Sequence, residues 1–600
     1  MAQSSSSPLL VESSPDSNLN DLLAARVARG PGAPLLERLE RGTWTPVSAG
    51  RFHDEVTATA KGLLAHGVAA GDRVAIMCRT RWEWSVLDWA VWAAGAVSVP
   101  VYETSSAEQV AWILADADVS LAVVETAAHA AVVAEVRDHC PTLREVLTVD
   151  EGALATLAAD GAPVEDAELE RRARCAGLED PATIIYTSGT TGRPKGVVLT
   201  HGNFVRITVN ARARLAQVFV DQPRTLLFMP LAHVFARFVN VLVIPADAVI
   251  GYTPDPATLM ADMATFRPTF LLAVPRVFEK VYNASEQKAA IGGKGSIFQR
   301  AAKTAIVYSR ALDTPGGPSP WLRLQHKVAD VLVLSKIRAA LGGRLLWAVS
   351  GGAPLGERLG HFFRGVGLVV LEGYGLTETT APLCVNVPEN AKIGTVGPPL
   401  PGTQLRIGAD GEIEARGIQV FTGYHANPAA TAEAMDDGWF RTGDLGSIDE
   451  DGYLRITGRK KEIIVTAGGK NVVPSVLEDR LRGHPLVSQV VVVGDQRPFV
   501  GALVTLDADG LPGWLAAHGK PPMSVAEAAQ DPDVLESLDK AVEYTNKAVS
   551  RAESIRKYRV LDRDLTIASG HLTPKLSVRR PEVLKDFAAD VDALYAEHRD

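Results

Sequence analysis

YTSGTTGRPKG, Tyr186 to Gly196, packs two Ser/Thr pairs, three glycines, an arginine and a lysine into eleven residues. Ile184-Ile185-Tyr186, just before it, has the apolar, β-branched character of the end of a buried strand. Gly189, Gly192 and Gly196 let a backbone approach a ligand closely and take positive φ. The hydroxyls of Thr187, Ser188, Thr190 and Thr191 can donate to phosphate oxygens, as can unpaired backbone N–H groups in such a turn. Lys195 adds a point charge, and Pro194 stiffens the loop beside it. The spacing is not GxxxxGK[ST], so this is no Walker loop. The plain alternative is a polar surface turn, but so long and particular a string argues for a triphosphate cradle.

Length and composition set the frame around that loop. Six hundred residues exceed what one core supports, so two or more units are expected. A content of 46% hydrophobic and 22% charged residues is that of a globular chain. The excess of 70 acidic over 61 basic residues argues against a nucleic-acid binder. Cys78, Cys140, Cys175 and Cys384 are scattered and form no CxxC, which suggests neither disulfides nor a zinc site and fits a reducing cytoplasm. MAQSSSSPLLVESSPDSN at the N-terminus has no basic region before an apolar core, so no signal peptide is expected. Its Ser and Pro content predicts a disordered lead-in over residues 1–17. No run reaches the ~20 apolar residues that span a bilayer. A cytoplasmic location follows, with peripheral membrane contact and oligomeric state left open.

Upstream of the loop, helix and strand alternate. Helical patterns cover Asn18 to Gly30, Ala49 to His66, Trp82 to Gly95 and Ala107 to Asp116. Strand patterns cover Arg73 to Cys78, Val97 to Val101 and Ser120 to Glu125, after a hairpin at Glu37 to Thr45. Such alternation builds a parallel, helix-covered sheet. Trp82, Trp89 and Trp92 read as core. Downstream, strands at Thr225, Thr269, Leu345 and Val369 each end in a loop rich in Gly, His, Arg or Glu, and carboxyl strand ends are where open α/β sheets place ligands. Ser285 to Asp313 reads as one long helical stretch before the DTPGGPSP linker. GEIEARG and GYLRITG, near Gly411 and Gly452, read as short strands between turns. From about Lys461 the chain reads as a smaller α+β unit, with helices over Val534 to Lys557. The expected class is α/β: a large unit of mostly parallel sheets with a small β-rich part, then a smaller α+β unit.

Two further constellations carry chemistry. In Gly373-Tyr374-Gly375-Leu376-Thr377-Glu378-Thr379, a glycine-flanked tyrosine offers an aromatic face to a base. Thr377 can bond a phosphate oxygen, and Glu378 is the hard carboxylate that Mg²⁺ on phosphates prefers. A helix start capped by Thr377 is the alternative. In Gly438-Trp439-Phe440-Arg441-Thr442-Gly443-Asp444, an aspartate after a Thr-Gly turn can accept from both hydroxyls of a ribose. A simple turn aspartate is the alternative there.

The phosphate loop, with GYGLTET and the pair WFRTGD and GRKKE, resembles the adenylate-forming (AMP-binding) superfamily. PLAHVFAR (Pro230 to Arg237), PRVFEK (Pro275 to Lys280), TAGGKNVVP and the C-terminal LTP are most similar to long-chain fatty acyl-CoA synthetases. The resemblance implies an AMP-binding domain over residues 18–460 and a mobile C-terminal lid over residues 461–600. It implies that Ser350-Gly351-Gly352-Ala353-Pro354 walls the adenine, so that Gly352, Ala353, Gly373, Tyr374 and Gly375 meet the nucleotide. Asp444 would bind the ribose with help from Arg459, and Glu378 would hold Mg²⁺. Lys461 would be the pivot between two domain arrangements, and Gly468, Gly469 and Lys470 would face the pantetheine arm of coenzyme A. His233 would line the carboxylate site. The reaction implied is activation of a fatty acid by ATP to acyl-AMP, followed by transfer to coenzyme A.

One motif departs from the pattern. In Leu572-Thr573-Pro574-Lys575-Leu576-Ser577, Ser577 stands where the family's adenylation lysine is usual. On an extended strand Lys575 would share its face at roughly 6.6 Å, and Lys575 is expected to substitute. The other readings are a ligase that loads a carrier protein, for which no carrier domain is visible before Asp600, and a weakened lipid-binding homologue.

Overall fold

The computed structural model describes residues 3–187, 193–255, 257–573 and 577–596. The alternating segments become a seven-stranded sheet in the order 423–424, 195–200, 181–187, 97–101, 73–77, 119–124 and 145–148. Its central pairs are parallel, while Lys195–Thr200 runs antiparallel to Pro181–Thr187. Continuous apolarity follows from burial on both faces: every residue of Val97–Val101 and of Val119–Val124 is buried.

Two four-stranded sheets lie beside one another. One runs 224–227, 249–252, 34–40, 43–48; the other runs 270–273, 347–350, 369–376, 381–385. Thr269 N donates to Arg224 O at 2.9 Å and joins them. The helix Trp82–Ala93 buries Trp84, Trp89 and Trp92, while Trp82 stays half-buried under the Arg38 guanidinium, 3.5 Å from its ring. An ion pair without solvent access locks these layers. Arg237 Nη2 donates to Asp88 Oδ1 at 2.7 Å and to Ser98 Oγ at 2.8 Å, and Arg237 Nη1 donates to Thr183 Oγ1. The helix after His233, the tryptophan helix and the strand that leads into the phosphate loop are thereby tied together. Removing one partner of such a pair costs about 3–5 kcal/mol.

A six-stranded antiparallel sheet carries the β-rich part, and its first strand corrects the disordered lead-in. Ser4–Ser7 pairs antiparallel with Thr403–Ile407. Asn210 Oδ1 then accepts from Leu10 N and Val11 N at 2.9 and 3.0 Å. A serine run orders there because a sheet edge offers its backbone partners, whatever its side chains. The long helical stretch is also corrected. It starts at Pro275 and breaks into Pro275–Ile291 and Gly295–Leu312 at Gly292-Gly293, where Gly293 takes φ +67°.

Beyond Arg459 a separate core forms around Ile464, Leu477, Val490 and Val504. It packs helices on the three-stranded sheet 487–493, 500–506, 555–560. The helical expectation over Val534 to Lys557 holds for Pro532–Asn546, but Ile555–Val560 is a strand parallel to Val500–Leu506. Asn546 ends the helix by exchanging both hydrogen bonds with the Ile555 backbone. Among the described residues no helix is long and apolar enough to cross a membrane.

Candidate active site

Tyr186 stands opposite Gly196 and Thr187 opposite Lys195, so the phosphate loop connects two antiparallel strands. Ser188, Gly189, Thr190, Thr191 and Gly192 lie outside the described residues. The ends of the loop are clamped by the helix Ala107–Asp116. Trp112 Nε1 donates to Pro194 O at 2.9 Å, the Arg193 guanidinium lies over the Trp112 ring at 4.7 Å, and Tyr186 Oη donates to Asp116 Oδ2 at 2.5 Å. Gly196 is required by packing, since a Cβ there would meet Ile184 Cγ2 at 2.8 Å.

Lys195 Nζ stands 4.9 Å above the Tyr424 ring, and Tyr424 Oη donates to Glu378 Oε1 at 3.0 Å. Tyr424 reaches this place because Gly423–Tyr424 pairs with Val197 and Val198 of the loop's second strand. Burial, and then the Glu378 carboxylate, push its phenol well above the usual tyrosine range, so it remains a donor. Thr377–Thr379 is a single turn with Thr377 and Thr379 buried and Glu378 half-buried, and the two residues after it, Thr380 and Ala381, take φ of +52° and +76°. Two consecutive left-handed residues with side chains mark stored strain, and such strain clusters at ligand sites.

Four residues before Glu378, Tyr374 Oη donates to Asp444 Oδ2 at 2.7 Å. Arg459 Nε lies 3.0 Å from Asp444 Oδ1, directly across an antiparallel ladder. Asp444 is only 4% exposed. Burial lifts its carboxyl above the ordinary range, while the Arg459 guanidinium pulls it back. Burial likewise keeps the Tyr374 phenol protonated.

The strands Phe270–Ala273, Trp347–Ser350 and Val369–Leu376 are parallel neighbours, so their carboxyl ends bring Val274, Gly351-Gly352-Ala353 and Gly373-Tyr374 side by side. Gly352 takes φ +83°, and a Cβ on Gly351 would lie 3.5 Å from both Gly373 O and the Phe235 ring. Ser350 Oγ is buried there with no hydrogen-bond partner. The GYG glycines have a structural cause besides exposing Tyr374. A Cβ on Gly375 would sit 1.5 Å from Ala381 O, and one on Gly373 would sit 3.1 Å from Cys384 O. His233 caps the helix Val234–Leu242, its Nδ1 accepting from Phe235 N at 3.0 Å.

Lys460 is anchored to Asp410 at 2.5 Å and Glu412 at 3.0 Å, and Lys461 follows it exposed in the turn Lys460–Glu462. Gly468, Gly469 and Lys470 form an exposed turn in which Gly469 has φ +74° and Lys470 N donates to Thr466 Oγ1 at 3.2 Å. Lys575 lies outside the described residues. Thr573 N donates to Ser577 O at 2.9 Å, and Leu572 bridges Val578.

Lys195, Glu378, Tyr374, Asp444 and Arg459 thus form one connected constellation, with Gly351-Gly352-Ala353 alongside. Tyr424 is its unforeseen member. GY in a chain with 52 glycines carries no signal of its own, and only its pairing with the loop strand brings it in.

A model of the AMP-binding enzyme family matches residues 23–425, and one of the AMP-binding enzyme C-terminal domain matches residues 461–599. The chain belongs to the AMP-binding enzyme family. Among relatives in this family, the long-chain-fatty-acid–CoA ligase FadD15 of Mycobacterium tuberculosis is 52% identical over 569 residues, 94% of this chain and 95% of that protein. The long-chain-fatty-acid–CoA ligase ACSBG2 of Gallus gallus is 30% identical over 602 residues, 93% of this chain and 78% of that one. The crystal structure of ATP-bound MatB from Rhodopseudomonas palustris is 26% identical with a TM-score of 0.69, covering 95% of this chain and 99% of that one. A Mycobacterium tuberculosis fatty acyl CoA synthetase, 24% identical with a TM-score of 0.61 over 96% of this chain and 99% of that one, shares the two-domain fold.

Proposed function

We propose that this enzyme joins a long-chain fatty acid to coenzyme A through an acyl-adenylate, converting ATP to AMP and pyrophosphate. The observation that carries this reading is the linkage of Lys195–Tyr424–Glu378 to Tyr374–Asp444–Arg459 through one strand end and the turn after it. Phosphates, metal and ribose can be handled together only if those two clusters adjoin. The 52% identity to a ligase named for this reaction supports the substrate class.

In the first step a carboxylate oxygen attacks the α-phosphorus and the bond to pyrophosphate breaks. Catalysis here is mostly positioning and charge neutralisation. Thr187, Ser188, Thr190 and Thr191 hold the phosphate tail with the amides of Gly189 and Gly192, and Lys195 neutralises charge on it. Gly352, Ala353, Gly373, Tyr374 and Gly375 border the base, Asp444 accepts from the ribose with Arg459 beside it, and His233 and Thr377 line the reacting end. Among the described residues no three His, Cys, Asp or Glu side chains cluster as a metal cage. Glu378 would hold the Mg²⁺ ion, a hard cation that prefers carboxylate oxygen. When bound, that ion neutralises charge on the phosphate oxygens.

In the second step the thiolate of coenzyme A attacks the acyl carbon and AMP leaves. The two units would rearrange about Lys461, held on one side by the Lys460 anchor, and Gly468, Gly469 and Lys470 would then meet the pantetheine arm. Lys575 is assigned the adenylation role that Ser577 cannot take. The test is AMP and acyl-CoA formation across acids of increasing chain length. Long-chain acids should turn over best; no AMP from any acid, or acyl-AMP that never reaches coenzyme A, refutes the proposal. Lys575→Ala should cut ATP–pyrophosphate exchange by orders of magnitude, and near-normal exchange removes Lys575 from the mechanism.

A further inference from the structure

One buried carboxylate, Glu412, is bonded to the chain neighbours of both residues assigned to the ribose. The strands Glu412–Gly417, Trp439–Ile448 and Leu454–Arg459 lie side by side in the six-stranded sheet. Asp444 and Arg459 face one another across the second and third of these. Glu412, at the start of the first, is 3% exposed. Its Oε1 accepts at 2.9 Å from the amide of Gly443, the residue before Asp444. Its Oε2 accepts at 3.0 Å from Nζ of Lys460, the residue after Arg459, and at 3.3 Å from Arg441 Nη2. The Thr-Gly turn is held from the same strand end, where Thr442 Oγ1 donates to Ile413 O at 2.7 Å and accepts from Asp444 N at 3.1 Å.

A buried carboxylate is costly unless its oxygens are bonded. Glu414, two residues on and 8% exposed, meets that need by pairing with Arg406 of the neighbouring strand Thr403–Ile407. That bond joins strand to strand. Glu412 instead joins a turn to the end of a strand, and both belong to the ribose clamp. Gly443 takes φ +74° with open space where a Cβ would stand. Side-chain packing therefore does not restrain the turn at that point, and hydrogen bonds must do so. We infer that Glu412 is a positioning residue for the nucleotide: by gripping Gly443 and Lys460 together it holds Asp444 and Arg459 in register to receive a ribose. Lys460 also precedes the proposed pivot Lys461, so the same grip keeps Arg459 in place while the chain beyond it turns. The inference rests on the nucleotide reading of this site proposed above.

Acid-dependent ATP–pyrophosphate exchange with ATP and with 2′-deoxy-ATP tests it. A hydrogen bond to a charged acceptor such as Asp444 is worth about tenfold or more, so the wild type should prefer ATP by that factor. In Glu412→Gln the amide oxygen can still accept, but the amide N–H groups then face either Gly443 N or the Lys460 ammonium, and one of the two grips is lost. The preference for ATP should fall about threefold or more. Glu414→Gln breaks a buried pair in the same strand and should leave the preference at the wild-type value while lowering Tm. Lys460→Met keeps the buried carboxylate and should also lower the preference. In the double variant the two losses should not multiply, as for residues that share one contact. A wild-type preference in Glu412→Gln, an equal fall in Glu414→Gln, or losses that multiply in the double variant would each overturn the inference and leave the nucleotide reading standing. A wild type that shows no exchange, or no preference for ATP, would remove the ribose assignment and the inference together.

Discussion

Tyr424 Oη sits 3.0 Å from Glu378, and its ring faces Lys195 at 4.9 Å. Tyr424→Phe keeps the ring and the cation contact but removes the donated hydrogen bond. A hydrogen bond to a charged group contributes about 1.5–3 kcal/mol. The variant should slow ATP–pyrophosphate exchange by roughly 10-fold or more and raise the Mg²⁺ concentration that exchange requires. Exchange at the wild-type rate across a Mg²⁺ titration would show that the link is idle. At this scale Lys195, Glu378 and Asp444 could be singled out as candidates because charged groups in glycine-rich strings have few structural uses, and Arg459 only through the family resemblance. Tyr424 was not, since an aromatic residue after a glycine resembles any strand end. The engagement of Tyr374 with Asp444 was equally hidden, because the two lie 70 residues apart.

The strand Val369–Leu376 explains why the site needs its glycines. It runs parallel to Trp347–Ser350, then turns to an antiparallel partner, Ala381–Val385, with a bulge between Tyr374 and Gly375. The bulge brings Ala381 O to where a Cβ on Gly375 would stand, 1.5 Å away. Gly375→Ala should therefore cost about 3 kcal/mol or more by forcing the strands apart, seen as a lower urea midpoint with nucleotide binding lost alongside. An unchanged midpoint would mean the turn yields freely. Helices and buried strands of the first half were legible from periodicity and continuous apolarity. The break at Gly292-Gly293-Lys294-Gly295 was marked locally by its glycines and was passed over in reading one long helix. The strand Ile555–Val560 was not legible, because a segment rich in Arg and Lys becomes a strand only beside Val500–Leu506.

Across the whole molecule, the C-terminal unit rests on the helices Pro275–Ile291 and Glu357–Val366 through polar contacts. Arg276 Nη1 donates to Ser488 O at 3.1 Å, Gln287 Nε2 donates to Gly510 O at 2.9 Å, and Arg358 Nη2 reaches Gly483 O at 3.3 Å. Such a polar interface suits two bodies that part and re-form, as the proposed rearrangement about Lys461 requires. Within it, burial pushes the Asp479 carboxyl up to about 6, Arg482 opposing and Glu478 and Glu279 adding to the rise. Glu279, across the interface, is also raised, first by burial. An acid whose folded value lies above its unfolded one penalises the folded state at neutral pH, and the penalty fades as pH falls through about 6. Asp479→Asn should stabilise the protein by about 1–2 kcal/mol at pH near 7, less than the full shift because 25% of the side chain stays open to water. The gain should shrink on acidification below about 6. Thermal unfolding of both proteins across that range checks this, and a gain that does not change with pH removes Asp479 as its source.

The sequence by itself determined the family through its glycine- and hydroxyl-rich loop, the alternation that makes parallel sheets and the change of character near Lys461, and it singled out the candidate residues for phosphate, metal and ribose. Each of these is local: a run of glycines and hydroxyls, a periodicity, a composition shift. Only the tertiary structure decided that Ser4–Ser7 is a strand, that Tyr424 joins Lys195 to Glu378, and that Glu412 bonds the neighbours of both Asp444 and Arg459. Those depend on partners outside any local window, Thr403–Ile407 for the first strand, Glu378 and Val197 for Tyr424, and Gly443 and Lys460 for Glu412, and a partner's presence is a property of packing.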